Sequence, residues 1–452
     1  MNSKKVLVTL KFFKGELNPF DATALECALS MAHVEVIALT MAPISVKEQL
    51  TQISRFGIKC ILVSDVSYAG SDTLATSLVL SEAIKEIEPD IIFCGRQSID
   101  GDTAQVPPML AQRLNYNFVN KVMDFDGQEA ILRDGERLSI KSNTVYTFEK
   151  FKILRFPSIF SKPQEVLVWN NDKLNIPINL CGQKGSPTKV IRTFESAVGR
   201  RFCKYIDESQ LDSIIQSALN KKRDEILVEK TEKLPLVHYV GKVEKIVKSI
   251  AEKTVCINHN NKNPYEIANE IKNLNAKVVI WEDDDKLKVL SSKVATILGA
   301  GNCADCIDFK VQNSKLIMTR PALGGTISAD IVCDSDVSFA TARTVKKGLK
   351  DVIFTIGYGA INCVNDIKRL AEKYNAEVCA TRKVVDAGIM PYTSQVGLTG
   401  RIVSPKVYVA FGVSGAVQHT CAISGAGTII AINNNKDERI FDYADYGVIK
   451  EV

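Results

Sequence analysis

Residues 406–419, KVYVAFGVSGAVQH, carry the residue types best suited to holding an anion or an electron-rich ring. An apolar, β-branched run stops at the turn Gly412-Val413-Ser414-Gly415 and leads into a helical pattern bearing Gln418 and His419. A strand feeding a glycine-rich helix start presents unpaired N–H groups and the positive end of a helix to negative charge, and its glycines let a ligand approach the backbone. His419 follows within reach of such a ligand. The same residues also fit a tight strand-to-helix turn with His419 on the surface, and the segment alone leaves both readings open.

A second place of this kind is GRQSIDGDTAQVPP, residues 95–108, which follows the strand-like run DIIFCG. Asp102 or Thr103 is suited to capping the next helix, which leaves the amides of residues 103–106 for a phosphate. A capped helix without a ligand fits the Gly-Asp-Thr pattern equally well.

The elements that must position these groups alternate. VLVTL, VEVIALT, KCILVSD and DIIFCG read as strands, separated by helical patterns over 21–31, 45–56 and 72–87. That order predicts an α/β fold, a doubly wound parallel sheet with helices on both faces, which binds ligands beyond the carboxyl ends of its strands. Residues 207–235 turn charged and helical, with Leu211, Ile214, Ile215 and Ala218 on one stripe, and read as an arm or linker between domains. A shorter α/β region with the strand VVIW and the hairpin-like LIMTRPALGGTISADIVC runs to about residue 348. The last region, from DVIFTIGYG through EVCAT, an irregular loop, VYVAFG and TIIAIN, is doubly wound again. The expected divisions are 1–206, 207–235, 236–348 and 349–452.

The 452 residues suit roughly three domains. A net charge of +5, with lysines spread along the chain, excludes a nucleic-acid surface. No run is long and apolar enough to span a membrane, and the N-terminus reads as a first strand, so the expected location is cytoplasmic. Twelve scattered cysteines fit reduced thiols. Cys303 and Cys306 form the only CxxC. Without a second pair or a nearby histidine, they read as buried or idle thiols rather than a zinc site.

There is no Walker loop and no nucleophile elbow, and the four histidines (His33, His238, His259 and His419) are isolated. Asp283, Asp284 and Asp285 read as a solvated turn. What remains is a set of binding groups without an acid, base or nucleophile. That suits a protein whose cofactor carries the chemistry, or a binding module with no reaction.

TRKVVDAGIMPYTSQVGLTGRIVSPKVYVAFGVSGAVQH, followed by TIIAIN and IFDYADYGVI, closely resembles the FAD-binding domain of the α subunit of electron-transferring flavoproteins. RPALGGTISADIV resembles that subunit's first domain. ELNPFDATALE, AGSDTLATS, CGRQSIDGDTAQVPPMLA and GQKGSPTKVIRTF resemble the β subunit. The chain therefore looks like a β-then-α fusion joined near residues 229–235. The resemblance implies adenine-nucleotide-hydrolase-like doubly wound sheets in the two N-terminal regions and a doubly wound FAD-binding domain at the C-terminus.

Matched by position, the resemblance implies that Thr381, Arg382, Val396, Gly397, Leu398 and Thr399 line FAD. Ser414, Gly415, Ala416, Val417, Gln418, His419, Asn433, Glu451 and Val452 would complete that site. Arg382 would lie over the isoalloxazine, Thr399 near N5 and His419 near the O2 edge. A reduced flavin carries negative charge near N1 and O2, so a guanidinium, an imidazole donor and a helix start would each raise its potential.

In the β-like half, Thr9, Asn18, Pro19, Phe20, Asp21, Met41 and Gly95 would hold a second nucleotide with Asp100, Gly101, Asp102, Thr103, Ala104, Gln105 and Val106. In the familiar carriers that nucleotide is AMP. In the electron-bifurcating branch, which AGSDTLATS, GRQSIDGDTAQV and KGSPTKV resemble more, it is a second FAD that takes a hydride from NADH. The implied partners are an acyl-CoA dehydrogenase of the fatty-acid β-oxidation type or a ferredoxin.

The chain departs from the family pattern in several places. Tyr358 in GYG replaces the usual arginine, Leu398 a glutamine, and Asn434 and Asn435 a Lys-Asp pair. A hairpin expected between Lys11 and Glu16 is missing. The dehydrogenase-recognition loop is cut out around residues 160–164, which speaks against docking to a usual acyl-CoA dehydrogenase, and the α-like first domain lacks its early strands. The leading expectation is a single-chain electron carrier. The alternatives are a degenerate AMP- or FAD-binding protein without electron transfer and, weakest, an NAD-linked dehydrogenase.

Overall fold

The computed structural model describes residues 3–132, 135–195, 201–220, 232–322, 327–343, 350–397, 400–401 and 403–451. They fall into two compact units. One comprises residues 1–193, 230–323 and 329–343; the other comprises 194–229, 324–328 and 344–452.

The first unit holds a nine-stranded sheet. Its order is Val166–Trp169, Lys59–Val63, Val34–Met41, Lys4–Thr9, Ile91–Gly95, Thr144–Phe148, Asn117–Phe125, Glu129–Leu132 and Arg137–Ser139. The first seven run parallel, Glu129–Leu132 turns back antiparallel, and Arg137–Ser139 reverses again beside it. Ile91–Gly95 and Thr144–Phe148 are buried throughout, as strands covered on both faces must be; the first reads as an apolar run, whereas Thr144 and Thr147 break the second. Phe93 packs edge-on against Phe125 and Tyr146 in that core. The order in which strands are added reverses between the parallel neighbours Lys4–Thr9 and Ile91–Gly95, which places a ligand crevice beyond their carboxyl ends.

The same unit contains a parallel five-stranded sheet, ordered Ala251–Cys256, Leu234–Val240, Val278–Glu282, Ser338–Ala342 and Gly301–Cys306. Most of a four-stranded sheet, ordered Thr188–Glu195, Ile327–Cys333, Lys315–Ala322 and Asp308–Gln312, belongs to it as well. LIMTRPALGGTISADIVC thus supplies two neighbouring strands, with residues 323–326 outside the described residues.

The second unit is built on a parallel six-stranded sheet ordered Lys204–Tyr205, Tyr446–Ile449, Thr428–Asn433, Val407–Phe411, Val352–Ile356 and Glu377–Ala380. Its switch point falls between Val352–Ile356 and Val407–Phe411. The segment expected to be an arm forms the helix Leu211–Asn220, and its apolar stripe is not free. Leu211 and Ile215 are buried in the core of this unit with Phe354 and Tyr374. Residues 221–231 lie outside the described residues, and the end of that segment is not arm or linker, since Leu234 opens the strand Leu234–Val240.

Three further expectations are corrected. A small hairpin does stand between Lys11 and Asn18, with Phe12 paired to Leu17 and Phe13 to Glu16 around Lys14 and Gly15, whose positive φ values turn the chain. The irregular loop after EVCAT contains the short helix Arg382–Asp386 and a helical turn, Tyr392–Ser394. Asp283 is not a solvated turn residue. Its carboxylate is nearly buried, 2.8 Å from Lys288 Nζ, because Thr341 from a neighbouring strand closes over it, while Asp284 caps the helix Asp285–Leu298.

Candidate functional site

At the switch point of the nine-stranded sheet, Asp21 is the fastener. One carboxylate oxygen accepts the N–H of Lys11, at 2.8 Å, and the other that of Gly95, at 3.0 Å, so it ties together the loops leaving the two central strands. Burial raises its carboxyl to about 7, against the pull of those two amides. Gly95 has to be glycine, since a Cβ there would sit 2.1 Å from Asp21 Oδ1. Pro19 opens the helix Pro19–Leu29, Asn18 Nδ2 donates to Gln97 O at 2.9 Å, and Phe20 lies buried with the Arg96 guanidinium over its ring. Thr9 and Met41 end neighbouring strands at the same edge.

Residues 98–105 form a loop closed on itself. Asp100 pairs with Lys11 at 2.8 Å; burial works to raise its carboxyl, and Lys11 outweighs it and holds it below the ordinary value. Asp102 and Ala104 both have positive φ, and Asp102 Oδ1 accepts from Gln97 Nε2. Neither Asp102 nor Thr103 caps the following helix. That helix spans Val106–Leu114 with Gln105 as its first flanking residue and no side-chain cap, because prolines at 107 and 108 set its start one turn later than Asp102 would.

Gln105 is buried and works elsewhere. It accepts from Thr73 Oγ1 at 3.0 Å and donates to the carbonyl of Asn302 at 2.9 Å. These contacts line a cleft of 640 Å³ that also includes Thr103, Asp72, Ser186, Thr188 and Arg320. Asp72 caps the helix Thr73–Ile87 through the amides of Leu74 and Ala75, and its other oxygen accepts from the amide and hydroxyl of Thr188. Three motifs far apart in sequence, AGSDTLATS, GRQSIDGDTAQV and GQKGSPTKV, therefore meet at one cleft. Arg320, from TRPALGG, closes it with a 2.7 Å hydrogen bond from Nη2 to Gly101 O. Arg320 Nε and Asn302 Oδ1 are buried there without a hydrogen-bond partner, one donor and one acceptor left over. Arg320 and Asn302 were missed as site residues, although Arg320 stands in a motif the resemblance singles out.

In the second unit, the loops at the switch point are drawn together by glycine. The Gly357 amide donates to Phe411 O at 2.7 Å and that of Gly359 to Gly412 O at 3.1 Å. A Cβ on Gly412, where φ is +58°, would lie 2.5 Å from Ala360 N. Gly415, with φ +82°, lies equally close to Ile440. The helix that follows is a single turn, Val417–Thr420, and it leaves Ser414, Ala416 and Gln418 exposed at this edge. Tyr358, where the family pattern has arginine, is exposed beside them.

His419 is not a surface residue. Its Nε2 lies 2.8 Å from the Tyr408 hydroxyl and its Nδ1 3.1 Å from Val396 O, and burial pushes its pKa down to about 4. Val396 and Gly397 begin a tight turn. The Val396 amide donates to Ala380 O, and that of Gly397 to Arg401 O. A Cβ added to Gly397 would meet Gln418 O at 3.5 Å, an ordinary van der Waals contact. Leu398 and Thr399 fall outside the described residues, as does Val452. Thr381 precedes the helix Arg382–Asp386, and Arg382 Nε lies 3.3 Å from Asp386. Asn433 is buried, donating to Val413 O at 3.1 Å, and Glu451 is exposed. The structure thus brings Thr381, Val396, Gly397, Ser414, His419 and Asn433 to the carboxyl edge of one sheet.

Two doubly wound sheets, each with its loops fastened at a topological switch point, define an α/β protein of the class that binds ligands beyond the carboxyl ends of its strands. The chain belongs to the electron transfer flavoprotein family. The family's electron transfer flavoprotein domain matches residues 6–138 and 261–346, and its FAD-binding domain matches 349–424. The chain is 32% identical over 233 residues to the electron transfer flavoprotein subunit alpha of Thermoanaerobacterium thermosaccharolyticum, covering 41% of this chain and 70% of that one. It is also 37% identical over 196 residues to the subunit beta of the same organism, covering 39% and 75%. A subunit of the caffeyl-CoA reductase-Etf complex of Acetobacterium woodii, CarD, is 36% identical over 196 residues, covering 39% and 75%. Similarity to both subunits within one chain fits a fusion of the two. Among the described residues no helix is long and apolar enough to cross a membrane, and no cluster of side chains is suited to a metal ion.

Proposed function

We propose that this chain is a single-chain electron carrier that holds FAD at the carboxyl edge of the six-stranded sheet and a second adenine nucleotide at the switch point of the nine-stranded sheet. The observation that carries the reading is the glycine-drawn switch point of the second unit, which lies inside the segment matched as an FAD-binding domain. Bound FAD supplies the redox chemistry. The chain's own groups bind and orient. Exposed Ser414 and Gln418 face a ligand at the strand ends, and Arg382 brings positive charge that favours a reduced ring. His419, with both nitrogens engaged, holds the Val396 carbonyl in place rather than exchanging protons.

For the second nucleotide, the support is the cleft built by the three converging motifs, with a spare buried donor on Arg320 and a spare acceptor on Asn302. To reach this cleft from the Asp21–Gly95 fastening a ligand must run along the 98–105 loop, which Arg320 holds at Gly101 O, and that span suits an extended nucleotide such as FAD rather than AMP. The partners are redox proteins. Similarity to a subunit of a caffeyl-CoA reductase complex makes an oxidoreductase of CoA esters the first class to test, with NADH and ferredoxin as the pair to test for bifurcation.

The test is the visible spectrum of the purified chain, with release and quantification of its nucleotides. Two FAD per chain support the reading in full, and one FAD with one AMP reduces it to a simple carrier. A colourless chain that takes up no flavin from excess FAD overturns it and leaves a nucleotide-binding relic.

A further inference from the structure

The two thiols of the CxxC in the five-stranded sheet are buried, as expected, and they are also held together. Cys303 and Cys306 sit on the strand Gly301–Cys306, and residues three apart on a regular strand point to opposite faces. Here their sulfurs lie 3.5 Å apart, and the Cys306 thiol also reaches the Cys303 carbonyl at 3.3 Å. The cause is a bulge. Cys303 pairs with Ala340 and Cys306 with Ala342, so three steps on one strand oppose two on the other, and Asp305 takes up the excess at φ +64°.

That conformation is costly for a residue other than glycine, and it is heavily anchored. The Asp305 amide donates to Thr341 Oγ1 at 2.8 Å, and its carboxylate is gripped by both arms of Arg343. Lys288 lies 3.8 Å away. Both cysteines are buried, Cys306 at 1% and Cys303 at 2% exposure, and of the two Cys303 forms part of the wall of the 640 Å³ cleft, next to Asn302, whose carbonyl receives Gln105.

We propose that Cys303 and Cys306 form a reversible redox pair, a disulfide that closes within the cleft wall when the protein meets a peroxide. Cys303, the cleft-facing thiol, attacks the peroxide. A sulfur–oxygen bond forms, the oxygen–oxygen bond breaks and one water leaves, giving a sulfenic acid. The Cys306 sulfur then displaces the hydroxyl. A sulfur–sulfur bond forms, the sulfur–oxygen bond breaks, and the Cys306 proton leaves with the second water. Two thiols are oxidised and one peroxide is reduced to two waters. Burial raises the Cys306 thiol well above its ordinary value and keeps it protonated and unreactive toward the peroxide itself, so it is the 3.5 Å separation from the oxidised sulfur that carries the second step. Reaching a disulfide bond length of about 2 Å requires the two sulfurs to close by about 1.5 Å.

The experiment treats the native full-length chain with hydrogen peroxide, blocks remaining thiols with iodoacetamide under denaturing conditions, and analyses the tryptic peptide 294–310, which contains both cysteines. The expected result is that peptide lacking two hydrogen masses and unalkylated, with both thiols returning after dithiothreitol. Cys306→Ser should stop at a sulfenic acid on Cys303 that a dimedone probe traps. Cys303→Ser should leave Cys306 fully alkylatable. The proposal is overturned if both thiols of the wild type remain alkylatable, if Cys303 advances to sulfinic acid with Cys306 untouched, or if either bonds instead to Cys333. None of these readouts requires a bound nucleotide, so the outcome is independent of the function proposed above.

Discussion

His419 Nε2 lies 2.8 Å from the hydroxyl of Tyr408, while His419 Nδ1 faces the carbonyl oxygen of Val396. A carbonyl only accepts, so Nδ1 carries the proton and Nε2 accepts from the Tyr408 hydroxyl. The imidazole is therefore neutral and locked, and burial keeps it so down to about pH 4, against 6.5 for the free side chain. Between those values the unfolded chain binds a proton that the native chain refuses. Stability is thus present above pH 6.5 and lost as pH falls toward 4, by up to on the order of 3 kcal/mol. Urea unfolding of the second unit across that range should show the loss, and His419→Gln should flatten it. Tyr408→Phe should cost about 1–2 kcal/mol at neutral pH and raise the His419 pKa, which NMR titration of the ring protons reads directly.

Asp21 gives the opposite slope. Its carboxyl is raised to about 7 from 3.8, so between those values the native chain holds a proton that the unfolded chain releases. This contribution falls as pH rises from about 4 to about 7, and Asp21→Asn should abolish it in unfolding followed through the first unit. Gly95→Ala forces a Cβ to 2.1 Å from Asp21 Oδ1 and 2.7 Å from its amide nitrogen. It should destabilise that unit by about 3 kcal/mol. Were the melting temperature unchanged, the close approach would not exist.

The bidentate pair of Arg343 with Asp305 is buried beside Lys288 and Asp283. Burial works to raise Asp305, yet the charges of Arg343 and Lys288 hold its carboxyl well below the usual carboxylate range. Arg343→Met leaves a buried carboxylate short of its main partner and should cost about 3–5 kcal/mol. Asp305→Asn tolerates the left-handed backbone and should cost less. In a double-mutant cycle the two changes should combine to well under their sum, and simple additivity would mean the pair is not coupled.

The strands were legible because helix-covered parallel strands must be continuous apolar runs, as DIIFCG and VYVAFG are. Their order in the sheets was not, since it depends on pairings between distant segments. The stripe Leu211, Ile214, Ile215 was legible as an apolar face, but nothing local says that Phe354 and Tyr374 cover it. Asp283 was misread for the same reason: it looks solvated beside Asp284 and Asp285, and Lys288 and Thr341 remove it from water. For Gln105 the signal was present, because prolines at 107 and 108 belong in a first helical turn and point to a start at Val106. The glycines of the two switch points and His419 stood out from residue type alone. The partner that sets the His419 proton, Tyr408, lay within the same quoted stretch, but only strand geometry turns its hydroxyl toward the ring.

Arg320 offers the sharpest separation of the two candidate nucleotide sites. Its Nη2 holds Gly101 O at 2.7 Å, and its Nε is buried without a partner at a cleft lined by motifs from both halves of the first unit. A guanidinium so placed has one donor free for a ligand, and a hydrogen bond from a charged donor contributes about 1.5–3 kcal/mol. Arg320→Met should therefore weaken the second nucleotide by about tenfold or more, read as its loss from the purified chain and as a higher Kd on titration with FAD or AMP. FAD in the C-terminal domain should stay at one per chain, because none of its candidate residues belongs to this cleft. Arg320→Lys keeps the charge but not the planar fork and should recover only part of the affinity. If Arg320→Met retains both nucleotides at wild-type affinity, the spare donor has no ligand and the cleft is not where the second nucleotide extends.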